Sequence, residues 1–131
     1  MSQHNPAEIS LRIPGAREYA LILRTALGGV AILKDLDVDA MDDLRAAADE
    51  ACDCLLHQGR EVRMVELSVR DTGESLTVSL EAEFCSEKAD SCLDSTDVSR
   101  AVLETLIPEV ELVQLPCGSI KRIDLTLPKA V

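Results

Sequence analysis

Residues 62–84 read VRMVELSVRDTGESLTVSLEAEF, and this stretch decides the fold. Apolar and polar side chains alternate from Val62 to Val69 and again from Leu76 to Phe84, which is the period of a strand with one buried face. Between them, Asp71-Thr-Gly-Glu74 has the composition of a hairpin turn. The segment therefore predicts two adjacent antiparallel strands.

The segments on either side of this hairpin supply the remaining elements. Spacings of three and four residues between apolar positions predict three helices, and alternation predicts three further strands. The helices run from Ala16 to Lys34, from Asp39 as N-cap to His57, and from Ser95 or Thr96 to Ile107; the strands are Ile9–Ile13, Val110–Leu115 and Ile120–Leu127. Helices on one face of a mixed or antiparallel sheet of about five strands make an α/β (α+β) two-layer sandwich.

Two details of the predicted helices bear on packing. Gly28-Gly29 lies inside the first helix, which is apolar enough to be largely buried, so we expect that helix to end there or to have a close neighbour against its backbone. The second helix has its main apolar stripe on one side. The opposite face holds small and varied residues, which is typical of a helix covered on both sides. These are Asp43, Ala47, Glu50, Cys54 and His57.

Length and composition bound the function. With 131 residues the chain is expected to form one domain, from residue 9 to 131, after a flexible N-terminus of residues 1–8. Its net charge of -11 and its two aromatic residues, Tyr19 and Phe84, exclude nucleic acid as an expected partner. No segment is apolar enough to span a membrane. A cytoplasmic protein with five reduced cysteines is expected.

Several segments resemble one known family. They are 9–14 (ISLRIP), 24–31 (RTALGGVA), 42–52 (DDLRAAADEAC) and 109–119 (EVELVQLPCGS). Together they are similar to the anti-sigma factor serine kinases, which are members of the histidine-kinase-like ATPase superfamily. The resemblance implies the Bergerat fold of that superfamily and covers nearly the whole chain.

The first nucleotide-binding motif of that family is Glu-Ala-x-x-Asn on a helix. The resemblance implies that Glu50, in Glu50-Ala-Cys-Asp-Cys54, takes the position of the catalytic glutamate that activates a water or hydroxyl. The magnesium-binding asparagine is replaced by Cys54. A thiol is a poor ligand for magnesium, which prefers hard oxygen atoms.

The other two motifs have also changed. Where the family has Asp-x-Gly-x-Gly, whose carboxylate binds the adenine amino group, this chain has Ala82-Glu-Phe-Cys-Ser86. Losing a hydrogen bond to a charged group costs about 1.5–3 kcal/mol. Where the family has a glycine-rich turn for the phosphates, Asp97 stands at the start of the third helix and repels them. Glu83 is not expected to replace the aspartate, because it faces away from Ala82.

The resemblance thus implies an anti-sigma regulatory factor with weak or lost ATP binding. It would act on a sigma factor or on an anti-anti-sigma protein of the STAS type, and could form a homodimer through its sheet and first helix. No cofactor is expected; ATP and magnesium would bind only if the family's activity is retained. One alternative is an active serine kinase with displaced motifs. Another is a metal or thiol switch using Glu50, Cys54 and His57 with the loop Cys85–Cys92.

Overall fold

The computed structural model describes residues 7–86 and 97–129. The elements, in chain order, are β1 (Ile9–Pro14), a short 3-10 helix (Arg17–Tyr19), α1 (Ala20–Leu33), α2 (Val38–Leu56), β2 (Val62–Asp71), β3 (Ser75–Phe84), α3 (Asp97–Leu106), β4 (Glu109–Gln114) and β5 (Ile120–Pro128). None of the described helices is both long and apolar enough to cross a lipid bilayer.

The five strands form one sheet in the order β1-β2-β3-β5-β4. All four pairings are antiparallel. The central hairpin is antiparallel as predicted, and its register places Val69 opposite Val78 and Leu67 opposite Leu80. The predicted α+β two-layer sandwich is confirmed, and of the two sheet types left open by the sequence the antiparallel one is present.

The core lies between the sheet and the helix layer, with α2 at its centre. α2 contacts α1 on one side, α3 on the other, and strands β2, β3 and β5 beneath it. Its small residues are buried on both faces, including Ala47 and Cys54 opposite the main apolar stripe. The prediction that this helix is covered on both sides is therefore confirmed.

Two predictions about α1 were wrong: that the helix is largely buried, and that it either ends at Gly28-Gly29 or has a close neighbour against its backbone there. The helix continues through Gly28-Gly29 to Leu33, and a Cβ atom built on either glycine meets no atom within 4 Å. Only the inner side of α1 is buried. Its other side, the α1 outer face, is apolar or uncharged and exposed to solvent. This face consists of Leu21, Ile22, Thr25, Gly29, Ile32 and Leu33.

The start of α2 also differs from the prediction. Asp37, rather than Asp39, is the N-cap: its carboxylate accepts a hydrogen bond of 2.7 Å from the backbone N–H of Ala40. The buried residue Leu36 precedes it. Three aspartates alternate with other residues here, at positions 35, 37 and 39, so propensity alone could not choose among them.

An ion-pair cluster around Asp71 joins segments that are distant in sequence. Its carboxylate accepts hydrogen bonds from Lys129 Nζ at 2.9 Å and from the turn amide of Gly73 at 2.8 Å, and Lys34 Nζ lies 3.1 Å away. Lys34 also donates to Glu8 at 2.8 Å. Lys129, then Gly73, then Lys34 hold the pKa of Asp71 well below its usual range. The bond to Glu8, and after it the bond to Asp71, raise the pKa of Lys34.

We predict that Gly29→Ala raises the free energy of unfolding by about 0.5–1 kcal/mol, because alanine favours the helix and the added methyl group meets no neighbour. Urea denaturation measures the change. Gly15→Ala is the contrasting variant: its Cβ would clash with the backbone carbonyl of Val62, so it should lower stability. A loss of stability in Gly29→Ala would show that the helix is irregular at this point.

We predict that Asp71→Asn lowers the melting temperature at pH 7. The native pKa of Asp71 is depressed, so its stabilisation is complete above the unfolded pKa of about 3.9 and is lost as the pH falls below that value. The difference from the wild type should therefore shrink in acid. Glu104→Gln, which removes an exposed carboxylate of α3, is the control and should change little. A constant difference down to pH 2 would contradict this.

Candidate functional site

Two of the predicted site residues, Glu50 and Cys54, lie one helical turn apart on the side of α2 that faces α3. The hydroxyl of Ser99, in the first turn of α3, donates a hydrogen bond of 3.1 Å to Glu50 Oε2. Ser99 is also a hydrogen-bond partner of Cys54. α3 therefore begins directly on the face of α2 where the family resemblance places the catalytic glutamate and the magnesium ligand.

Burial determines the chemistry of Cys54 and of its neighbour Cys52. Both thiols are almost fully covered. Burial, with a smaller contribution from Asp53 and Asp49, raises the pKa of Cys52 to about 11. Burial also raises the pKa of Cys54, although its hydrogen bond with Ser99 acts in the opposite direction. Because the thiolate is the metal ligand and the nucleophile, neither cysteine is prepared for metal binding or redox chemistry at neutral pH.

The predicted residues of the second motif do not form a nucleotide-binding turn. Ala82 is fully buried in β3, and its carbonyl oxygen accepts a hydrogen bond from Lys121 Nζ. Glu83 lies on the opposite face of the strand, as expected, where Arg12 binds it at 3.0 Å. The carbonyl oxygen of Ser86 accepts a hydrogen bond of 2.7 Å from Arg60 Nη2. Position 82 itself thus carries no carboxylate, and the neighbouring Glu83 is turned away from it.

Asp97 is the first residue of α3 and is exposed, which places an acidic group in its first turn as predicted. The segment before it, including Thr96 and Cys92, lies outside the described residues. The structure thus brings Glu50 and Cys54 together, and places Ala82 and Ser86 at the end of a strand. In the described part of the chain, the contacts of these four residues do not form a binding site that recognises a nucleotide.

The metal-switch alternative finds no assembled ligand set. Within residues 7–86 and 97–129, no three His, Cys, Asp or Glu side chains are grouped so that they could hold a metal ion. His57 is exposed at the C-terminal end of α2. Four cysteines are described and all are free thiols.

Two functional candidates were missed from the sequence. Ser99 on α3 contacts Glu50 on α2. The two residues are 49 positions apart in the sequence, so no local pattern reveals that they meet. Arg60 is buried beside Phe84, with its guanidinium carbon 4.0 Å from the ring centroid. A basic residue directly after a helix-ending glycine is normally solvent-exposed, and nothing in the pattern indicates its burial.

We predict that iodoacetamide at pH 8 labels Cys85 and Cys117 well before Cys52 and Cys54, because the first two are exposed and the other two are buried with raised pKa values. Peptide mass spectrometry of the native protein gives the four rates separately. Labelling in denaturant provides the control, since all four rates should then become similar. Rapid labelling of Cys54 in the native state would show that α3 leaves the α2 face open.

The sequence is similar to those of two bacterial proteins named RsbW. The anti-sigma-F factor RsbW of Mycobacterium tuberculosis (strain H37Rv) is 28% identical over 96 residues, which are 73% of this chain and 52% of the relative. The serine-protein kinase RsbW of Bacillus subtilis (strain 168) is 33% identical over 69 residues, which are 52% of this chain and 43% of the relative. The chain therefore spans about half the length of these relatives.

The fold comparison agrees with the sequence comparison. A crystal structure of the RsbU and RsbW domains of a Mycobacterium tuberculosis protein superimposes with a TM-score of 0.69 and 14% identity, covering 94% of this chain and 33% of that one. No family model matches the chain. The resemblance noted from the sequence is thus confirmed: the chain is similar in sequence to proteins named RsbW and shares the fold of an RsbW domain.

Proposed function

We propose that this protein is an anti-sigma regulatory factor that works by binding other proteins rather than by transferring phosphate. The similarity to RsbW proteins, whose names include an anti-sigma-F factor and a serine-protein kinase, supports the class of regulator. The partner would be a sigma factor or an anti-anti-sigma protein of the STAS type. The surface carries a net charge of -11 and would attract a basic segment of such a partner.

The hydrogen bond between Ser99 and Glu50 is the observation that carries this proposal. A catalytic glutamate needs access to the hydroxyl or water that it activates. Here the carboxylate of Glu50 already accepts a bond from a serine of the same chain, and α3 covers the surrounding face. Cys54, buried one turn away, offers a sulfur atom at the position where the family motif has the side-chain oxygen of asparagine, and magnesium prefers hard oxygen ligands.

A binding function needs a contact surface, and the α1 outer face is the best candidate. Leu21, Ile32 and Leu33 are each 59% to 69% exposed, and no charged residue belongs to this face. The outer side of the sheet is different, because ion pairs such as Arg12 with Glu83 and Arg122 with Asp124 cover it. Exposed apolar patches with polar surroundings are typical of protein interfaces. We therefore place homodimer formation, which the resemblance implies, at α1 rather than at the sheet.

Calorimetric titration of Mg-ATP and Mg-ADP separates this proposal from an active serine kinase. We predict no heat of binding at millimolar nucleotide, since the adenine-binding carboxylate and the magnesium ligand are both absent. Micromolar affinity would support the kinase alternative and overturn the non-catalytic part of the proposal. If the protein is a kinase, Glu50→Ala should abolish its phosphorylation of a candidate protein substrate by ATP. This experiment is a second test of the kinase alternative.

Sedimentation velocity tests the contact surface. We predict that the double variant Ile22→Arg and Ile32→Arg abolishes self-association, and weakens binding to a candidate sigma factor if the two surfaces overlap. Val98→Arg adds a charge to an exposed apolar position of α3 and is the matched control, which should behave as wild type. Unchanged self-association in the double variant, or a wild type that stays monomeric at all concentrations, would refute the assignment of the dimer to α1.

A further inference from the structure

A cavity at the end of the sheet contains a buried cation, Arg60, that has no acidic partner among residues 7–86 and 97–129. It measures about 520 Å³ and is lined by Arg60, Glu83, Phe84, Ser86, the turn 115–117 and Lys121. Three residues of the segment aligned with the second motif line it, namely Glu83, Phe84 and Ser86. Glu50, Cys54, Ala82 and Asp97 lie elsewhere, so the cavity is distinct from the α2 face described above.

Arg60 is the central residue of this cavity. Its side chain is more than nine-tenths buried, and its Nη2 donates to the carbonyl oxygen of Ser86. Nε and Nη1 have no hydrogen-bond partner among the described residues, although both atoms are covered. A buried guanidinium is costly unless its N–H groups are satisfied, and it binds carboxylate or phosphate through two parallel N–H groups.

The neighbouring charges make the cavity suitable for an anion. Lys121 Nζ lies 5.6 Å from the centroid of the Phe84 ring, on which Arg60 also stacks at 4.0 Å. The one carboxylate of the lining, Glu83, is already paired with Arg12 at 3.0 Å. Lys121 Nζ also lies 3.9 Å from Glu81 Oε2, which is a long ion pair. Two cations thus converge on one aromatic ring in a protein whose net charge is -11.

Two features of the fold bring Arg60 and Lys121 together: the hydrogen bonds of Gln58 and a bulge in each of β2 and β5. The buried amide of Gln58 accepts from the backbone N–H of Ile120 at 2.6 Å and donates to its carbonyl oxygen at 2.8 Å, which fixes the connection after α2 beside the start of β5. The strand register slips by one residue at Arg63 in β2 and at Lys121 in β5. Such bulges redirect side chains and are common beside functional sites.

We infer that this cavity is a binding site for an oxyanion, a phosphate or carboxylate group of a small molecule, held by the guanidinium of Arg60 with Lys121 as the second cation. The apolar wall formed by Phe84, Leu115 and Pro116 would cover the uncharged part of such a ligand. This site goes beyond the proposed regulatory function and requires neither a nucleotide nor a protein partner.

NMR titration tests the site with inorganic phosphate and with acetate as separate probes. The signal of the Arg60 Nε–H group and the amide signals of residues 84–86 and 117–121 are the readouts, at constant ionic strength so that general screening does not contribute. We predict saturable shifts with at least one probe in the millimolar range. Saturation by phosphate alone would identify a phosphate ligand, and saturation by acetate alone a carboxylate ligand.

Three variants locate the bound anion. Arg60→Lys keeps the charge but loses the two-pronged geometry, and Lys121→Met removes the second cation; each should weaken binding about tenfold or more, the effect of losing one charge-assisted hydrogen bond. Arg63→Gln removes an exposed neighbouring charge and should bind as wild type. If Arg60→Lys fails to fold, Lys121→Met alone decides.

The site is refuted if neither probe gives a saturable shift, or if the Arg60 and Lys121 variants bind as tightly as wild type. Because the titration contains no partner protein and no nucleotide, a negative result leaves the regulatory proposal untouched. Equally, a failure to find a sigma or anti-anti-sigma partner would not alter the result at Arg60.

Discussion

The rest of the structure depends on the burial of α2 from three directions. The chain has only two aromatic residues, so its core is built from Leu, Ile, Val and Ala side chains, which must pack densely to exclude water. The small residues Ala47, Ala48 and Ala51 let α1, α3 and the sheet approach α2 closely, and all three are fully buried or nearly so. Through this packing α3 lies directly against the α2 face that carries Glu50 and Cys54.

This packing connects the fold to the proposed function. The same α2 face carries Glu50 and Cys54, and Ser99 is a hydrogen-bond partner of both. A cysteine buried at this position gains apolar contact, but its sulfur is a poorer magnesium ligand than the asparagine oxygen of the family motif that the sequence resembles. In the proposed function, weak or lost nucleotide binding follows from this packing around α2. The α1 outer face, by contrast, is exposed to solvent.

Much of this arrangement could be predicted from the sequence. The alternation of 62–69 and 76–84 fixes which side chains are buried, because a slip of one residue would turn the apolar face outward. The two-sided burial of α2 followed from the small residues on both of its faces. The wrong predictions concern choices that local pattern cannot make. Asp37 and Asp39 are equally good caps, and a Gly-Gly pair in a helix does not reveal whether anything covers it.

The cations show most clearly what the sequence could not provide. Lys34, Lys129, Arg12 and Arg122 each have a carboxylate at 2.8 to 3.0 Å, so their charges are accounted for by ion pairs within the fold. Arg60 looks no different in the sequence, but it is buried against Phe84 and donates to the backbone carbonyl of Ser86. It forms no ion pair in the described part of the chain. An apolar residue would pack at this position without the free-energy cost of burying a charge. A buried guanidinium with unused N–H groups is instead what recognition of an anion requires, and this separates Arg60 from the cations that hold the fold together.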